Sequence, residues 1–224
     1  MVTTIRGVTF EENHNNSMGL QFYNLSHRFG YQSPNWPYFE DVKIERIHYH
    51  AKSGVLSQRI TTSMHNTTHI DAPAHVIQGT PFIDEVPLPH FFGSGIVVSI
   101  PKQKWEQITY DDLEKAAGKV VRPRDVVLVN TGWHHKYEDS EDYFCRAPGF
   151  VSSAGEWFVE KKVKVIGSHF FFGIDTTMPE PKKCGSGTSS MNGVPWITCA
   201  GASMCVVLCI EVVMRCDSTP DFAM

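Results

Sequence analysis

The sequence predicts an α/β fold with a mixed sheet, because short apolar strands alternate with helices along much of its 224 residues. Two strands between residues 42 and 64 alternate apolar and polar side chains, and three later runs are continuously apolar. Two helices with capping signals separate these later runs. The chain contains no internal repeat and no clear internal boundary, so we expect a single domain over residues 1–224.

The strands are predicted from the spacing of apolar side chains. Residues 42–50 and 56–64 alternate apolar and polar positions, and Ser53 and Gly54 between them favour a turn, so we expect a β-hairpin. Buried strands are predicted by the apolar runs 95–100, 125–129 and 163–166. Continuous apolar runs of this length are typical of strands covered on both faces.

The two helices are predicted from their first residues. Thr109 is a capping residue followed by acidic residues in the first turn, and Gly118 ends this helix. Ser153 and Glu156 have the spacing of a capping box before an apolar stretch. A helix is therefore expected after each of these caps.

Composition excludes several classes of function. A formal net charge of −4 gives no electrostatic reason to expect nucleic acid or an anionic membrane as a partner. No apolar run reaches the roughly 18 residues of a membrane helix, and the first 16 residues lack the pattern of a signal peptide. We therefore expect a cytoplasmic protein, and its six cysteines, which include no CxxC pair, are expected to be reduced thiols.

A short segment carries most of the chemistry. Within eleven residues it contains His65, His69, Asp71 and His75. Imidazole nitrogen and carboxylate oxygen suit Zn²⁺ or Mn²⁺, and three protein ligands leave positions for water and substrate. On an extended chain His69 and Asp71 project to the same side, while His65 reaches back over a turn. His75, beyond a proline, is then available as a general base and acid.

The pattern H-x-x-T-H-x-D-x-P-x-H resembles the signature of the cyclase family of metal hydrolases, which includes kynurenine formamidase and isatin hydrolase. The resemblance implies that His65, His69 and Asp71 bind the metal and that His75 transfers protons. It extends to residues 25–37, similar to the family's N-terminal substrate loop, and to the segments 130–133 and 191–197. It also implies a swivelling β/β/α fold and a homodimer or larger homo-oligomer.

The sequence departs from the kynurenine formamidase branch of this family late in the chain. That branch supplies a second metal with a histidine and a glutamate, whose places are taken here by Ser186 and Thr198. The resemblance then implies one divalent metal ion, Zn²⁺ or Mn²⁺, as in isatin hydrolase. From about residue 199 we expect a divergent or truncated C-terminal segment.

The function expected from these features is hydrolysis of a cyclic or N-acyl aromatic amide, such as a formamide or lactam, through a metal-activated water. This is an amidohydrolase reaction on a C–N bond other than a peptide bond. The alternative is a non-catalytic metal- or ligand-binding relative with a degraded second-metal site.

Three further residues are candidates for substrate binding. Trp36 and Phe29 could form an aromatic wall over a planar substrate, or could simply pack within their loop. His27 could orient substrate, or could be a surface histidine. Both alternatives stay open for all three.

The remaining histidines are weaker candidates. His48 and His50 alternate on a predicted strand without a matching carboxylate, which favours a structural role. His134 and His135 are expected on a solvent-facing loop. His169 follows a predicted strand and is the one spare histidine that could supply an additional ligand.

Overall fold

The computed structural model describes residues 2–5, 8–11, 14–15, 21–22, 25–36, 39–75, 78–169 and 206–209. The strands are β1 (Val2–Ile5), β2 (Val8–Glu11), β3 (His14–Asn15), β4 (Gln21–Phe22), β5 (Lys43–His48), β6 (Ser57–Thr61), β7 (His69–Asp71), β8 (Gly95–Ser99), β9 (Gln107–Ile108), β10 (Val126–Asn130), β11 (Gly149–Phe150), β12 (Val165–Ser168) and β13 (Val206–Cys209). The helices are α1 (His50–Ser53), α2 (Tyr110–Ala117), α3 (Glu141–Cys145) and α4 (Ser152–Glu160).

A five-stranded mixed sheet organises the fold, with its strands in the order β7-β13-β12-β10-β8. Four of these strands are parallel, and β7 at one edge runs antiparallel to β13. Trp133, Trp157 and Phe158 are the largest side chains of the main core, with at most 2% of their surface exposed. In the described part of the chain, no helix is long and apolar enough to cross a membrane. The predicted α/β class with a mixed sheet is confirmed.

The strand predictions agree with the structure apart from their ends. β5 and β6 form the expected antiparallel hairpin, although β6 ends three residues earlier than predicted. The apolar runs 95–100 and 125–129 correspond to β8 and β10. The strand predicted over 163–166 begins two residues later, because the N–H of Val163 instead bonds the Phe158 carbonyl at the end of α4.

The two helix starts differ in how they are capped. Thr109 caps α2 as predicted, with its hydroxyl accepting a hydrogen bond from the N–H of Asp112 at 3.3 Å. Ser153 does not cap α4, because the helix begins at Ser152, two residues earlier than such a cap would imply, and its N-cap is Val151. The Ser153 hydroxyl instead accepts a hydrogen bond from the N–H of Tyr110 at 3.3 Å, so it joins α4 to the start of α2.

Three predictions about single residues are wrong. His50 opens α1 instead of continuing β5, because the chain turns there. His134 is buried in a 3₁₀ turn, with its ring centroid 5.1 Å from that of His169, whereas its neighbour His135 is exposed as expected. Cys145 is disulfide-bonded, which corrects the expectation of a reduced thiol at this position.

Candidate metal centre

The edge strand β7 positions two of the candidate ligands. Its middle residue, Ile70, packs into a small apolar cluster around Val86 and Val165. Because successive side chains of a strand point to opposite faces, His69 and Asp71 project together on the face away from that cluster. Burial of one isoleucine therefore determines the direction of both polar side chains.

Three candidate ligand atoms converge at this face. Nδ1 of His65 lies 2.8 Å from Oδ1 of Asp71 and 3.3 Å from Nε2 of His69, and the last two atoms are 3.5 Å apart. Two ligands at roughly 2.1 Å from one ion at tetrahedral angles would be about 3.4 Å apart. The donor set therefore fits a divalent ion. Among the described residues no other group of three such side chains converges in this way.

The backbone at Thr67 orients the His69 ring. Nδ1 of His69 lies 2.7 Å from the carbonyl oxygen of Thr67. A carbonyl oxygen only accepts hydrogen bonds, so Nδ1 carries the proton and Nε2 presents its lone pair towards the ligand cluster. Thr67 has φ of 53°, in the left-handed region that β-branched residues rarely adopt.

The loop after β7 brings His75 beside the same group. A 3₁₀ turn, Pro73–His75, follows the strand, and the N–H of His75 bonds the carbonyl of Ala72. The ring centroids of His75 and His65 are 4.0 Å apart. Partial burial and the neighbouring His65 charge lower the pKa of His75, so its imidazole is neutral near pH 7 and able to accept a proton.

The charge of Asp71 is stabilised by its neighbours. Burial raises the pKa of its carboxyl group, but the adjacent imidazoles of His69, His65 and His75, which attract the carboxylate whenever they are protonated, outweigh this effect. The net shift is downward, so Asp71 is ionised at neutral pH. An anionic carboxylate between imidazoles is the form required of a metal ligand.

The three predicted substrate residues lie along one loop. The N–H of His27 donates to the Thr68 hydroxyl at 2.9 Å, and the His27 ring lies 3.8 Å from that of Tyr137. Trp36 packs edge-on against Phe144, with ring centroids 6.2 Å apart. Phe29 is 44% exposed. His27 therefore contacts the metal-binding loop directly.

Sequence reasoning missed Phe39, whose ring lies near that of the candidate ligand His65. Its centroid lies 6.2 Å from that of His65, and about a third of its surface is exposed. The available signal was its position in the same Pro- and aromatic-rich segment as Trp36. Phe39 thus supplies an apolar surface next to the cluster.

His169 does not join the candidate ligands. Its Nε2 accepts a hydrogen bond from the N–H of Trp133 at 3.1 Å and lies 2.8 Å from the Thr131 hydroxyl. Burial, together with the nearby histidine charges, lowers its pKa to about 3. It is a neutral core histidine.

Ser186 and Thr198 lie outside the described residues, and so does the segment 191–197, so the absence of a second metal site remains a prediction.

Comparison with solved structures places the fold among metal-dependent hydrolases. An isatin hydrolase bound to the product analogue thioisatinate has a TM-score of 0.58 and 18% identity, covering 76% of this chain and 68% of that chain. Isatin hydrolase A from Ralstonia solanacearum has a TM-score of 0.53 and 21% identity, covering 82% and 73%. A predicted metal-dependent hydrolase from Bacillus stearothermophilus has a TM-score of 0.56 and 18% identity, covering 83% and 80%.

Sequence comparison identifies the family. A Haemophilus influenzae protein described as uncharacterized is 27% identical over 109 residues, which are 48% of this chain and 77% of that protein. The family model named Cyclase matches residues 23–176, which is more than half of the chain and includes the candidate ligands. The chain therefore belongs to the Cyclase family.

Proposed function

We propose that the protein is a hydrolase that uses one divalent metal ion, Zn²⁺ or Mn²⁺, to cleave a cyclic or N-acyl aromatic amide. The observation that carries the proposal is the convergence of His65, His69 and Asp71, whose ligand atoms lie within 3.5 Å of one another. The similarity of the fold to isatin hydrolases supports a cyclic amide as the substrate class.

The roles of the residues follow from their positions. His65, His69 and Asp71 would hold the ion, which when bound supplies a Lewis acid and lowers the pKa of a water molecule. His75, neutral near pH 7 and beside His65, accepts the proton of the attacking water. It then donates this proton to the leaving nitrogen, which departs as a neutral amine.

The substrate side of the site is assigned to aromatic residues between positions 29 and 39. The Phe39 ring lies beside that of His65, and Trp36 and Phe29 precede Phe39 in the chain. A planar aromatic substrate would gain contact area from such rings. On the family resemblance we further propose a homodimer or larger homo-oligomer, and we also propose a cytoplasmic location.

The test combines metal analysis with turnover. The purified full chain is measured for Zn and Mn by elemental analysis and assayed against N-formylkynurenine, isatin and simple lactones. We expect one ion per chain and hydrolysis of an amide substrate. His69→Ala should lose the ion and the activity, His75→Ala should keep the ion and lose turnover, and His135→Ala, at an exposed position, should retain both.

Two outcomes would redirect the assignment. Full metal content and full rate in His69→Ala would contradict the ligand assignment. One ion per chain without turnover on a broader panel of amides and lactones would favour a metal- or ligand-binding protein over an enzyme.

A further inference from the structure

The loop formed by residues 25–36, which we call the N-terminal loop, is attached to the metal-binding segment at Thr68. The backbone N–H of His27 donates to the Thr68 hydroxyl at 2.9 Å, across 41 residues of sequence. Both residues are half-buried. The bond therefore joins two segments that are distant in the chain.

Thr68 lies between Thr67 and His69, two residues that define the geometry of the candidate ligands. The carbonyl of Thr67 orients the His69 ring, and His69 directly follows Thr68. The left-handed conformation of Thr67 turns the chain immediately before Thr68. One dipeptide thus contacts a candidate metal ligand through its backbone and the N-terminal loop through its side chain.

We propose that Thr68 is a positioning residue that holds the N-terminal loop, and with it the substrate-binding side chains, in a fixed place relative to the metal centre. This inference rests on the proposed function, because it assigns a task to the loop within that reaction. Thr68 contributes no ligand and no proton. Its hydroxyl accepts one hydrogen bond and thereby reduces the freedom of the loop.

A second contact, between aromatic rings, also holds His27 in place. The His27 ring packs on Tyr137 at 3.8 Å, so the residue is held through both its side chain and its backbone. Loss of the Thr68 bond would remove the backbone attachment of His27, and the loop would open more often. Since such a change weakens binding in the ground state and the transition state alike, it is expected mainly in KM.

The test compares three substitutions at Thr68 with a matched control. Thr68→Val keeps the shape of the side chain but removes the hydroxyl that accepts the hydrogen bond. Thr68→Ala removes the same hydroxyl and also makes the side chain smaller, whereas Thr68→Ser retains the hydroxyl. Thr61→Val makes the same chemical change at an exposed strand position. The readouts are hydrogen–deuterium exchange of residues 25–36, metal content, and steady-state kinetics.

We expect exchange at the His27 amide to be about tenfold faster in Thr68→Val and Thr68→Ala, because one hydrogen bond is lost. KM should rise severalfold with kcat nearly unchanged, and metal content should stay at one ion per chain. Thr68→Ser and Thr61→Val should match the unmodified protein in all three measurements.

Unchanged exchange in both Thr68→Val and Thr68→Ala would overturn the proposal, whatever the activity of the chain. Faster exchange with an unchanged KM would show that the bond holds the loop without affecting substrate binding. That result would overturn the assignment of Thr68 as a positioning residue. If the unmodified protein binds metal but turns over no substrate, the proposed function fails. The exchange measurement still decides whether Thr68 holds the loop.

Discussion

The carbonyl oxygen of Thr67 accepts a hydrogen bond from Nδ1 of His69 at 2.7 Å, and this contact decides which nitrogen of the ring faces Asp71. In the conformation that points this carbonyl at the His69 ring, Thr67 has a φ of 53°. A sterically unfavourable backbone conformation therefore accompanies a defined tautomer at the candidate metal centre. Strain of this kind costs about 1–3 kcal/mol and persists where surrounding contacts compensate for it.

Thr67→Gly is expected to stabilise the protein. Glycine relieves a left-handed conformation that costs roughly 1–2 kcal/mol, and this outweighs the roughly 0.5–1 kcal/mol that its greater freedom in the unfolded state costs. The free energy of unfolding from urea denaturation should rise by about 1 kcal/mol, with metal content unchanged. Thr62→Gly, in the neighbouring loop at negative φ, should lower stability instead. An equal loss in both variants would contradict the strain at Thr67.

Phe39→Ala is expected to weaken binding of aromatic amides without loss of metal. An aromatic contact contributes about 0.5–1.5 kcal/mol beyond its buried area, so KM should rise roughly threefold to tenfold. Steady-state kinetics with one aromatic and one aliphatic substrate check this, since only the aromatic substrate should be affected. Phe92→Ala, at an exposed position away from the described site contacts, is the matched control. Equal effects on both substrates would exclude a stacking role for Phe39.

Thr109→Ala is expected to destabilise the fold by about 1 kcal/mol, the usual effect of losing an N-cap. The hydroxyl of Thr109 accepts from the N–H of Asp112, and the Asp112 carboxylate accepts from the N–H of Thr109 at 2.9 Å. Thermal denaturation of the alanine and serine variants distinguishes the stability contributed by the capping hydroxyl from that contributed by side-chain packing. Thr109→Ser should retain most of the stability, and a serine variant as unstable as the alanine variant would refute the cap.

His169 is expected to make stability depend on pH below neutrality. Its pKa is about 3 in the folded chain and about 6.5 when unfolded, so between these values only the unfolded state binds the proton. Stability contributed by the neutral ring is present above pH 6.5 and is lost as the pH falls towards 3. From pH 7 to pH 5 the loss attributable to this residue is about 2 kcal/mol.

The pH effect of His169 is measured by denaturant unfolding at pH 7 and pH 5. His169→Gln removes the titrating group, so the difference between its two unfolding free energies should be smaller than in the unmodified protein. His48→Gln, at an exposed site whose charge does not act on His169, should leave the difference nearly unchanged. The same pH dependence in His169→Gln as in the unmodified protein would show that other groups cause it.

Local spacing was sufficient to predict part of the site. Two-residue alternation on a strand predicted that His69 and Asp71 share one face, and β7 places them so. The α/β class followed from apolar runs and capping residues, because these depend on neighbours in sequence. The metal-binding role of these residues stays a prediction that metal analysis will decide.

Contacts between distant segments could not be predicted in the same way. Ser153 has the local pattern of a cap, but the N–H of Tyr110 binds its hydroxyl from another helix. His134 is buried through its packing on His169, and Phe39 lies beside His65 although 26 positions separate them in the sequence. Each of these outcomes depends on tertiary structure that periodicity does not encode.

The position of β13 in the sheet has a consequence for the order of assembly. Residues 69–71 pair with 207–209, which follow them by more than 130 positions, whereas β8, β10 and β12 lie within 95–168. During synthesis β8, β10 and β12 can associate before β13, the partner of β7, has left the ribosome. The candidate ligand strand therefore docks late, and slow closure of this long-range pair should limit the rate at which a metal-competent protein matures.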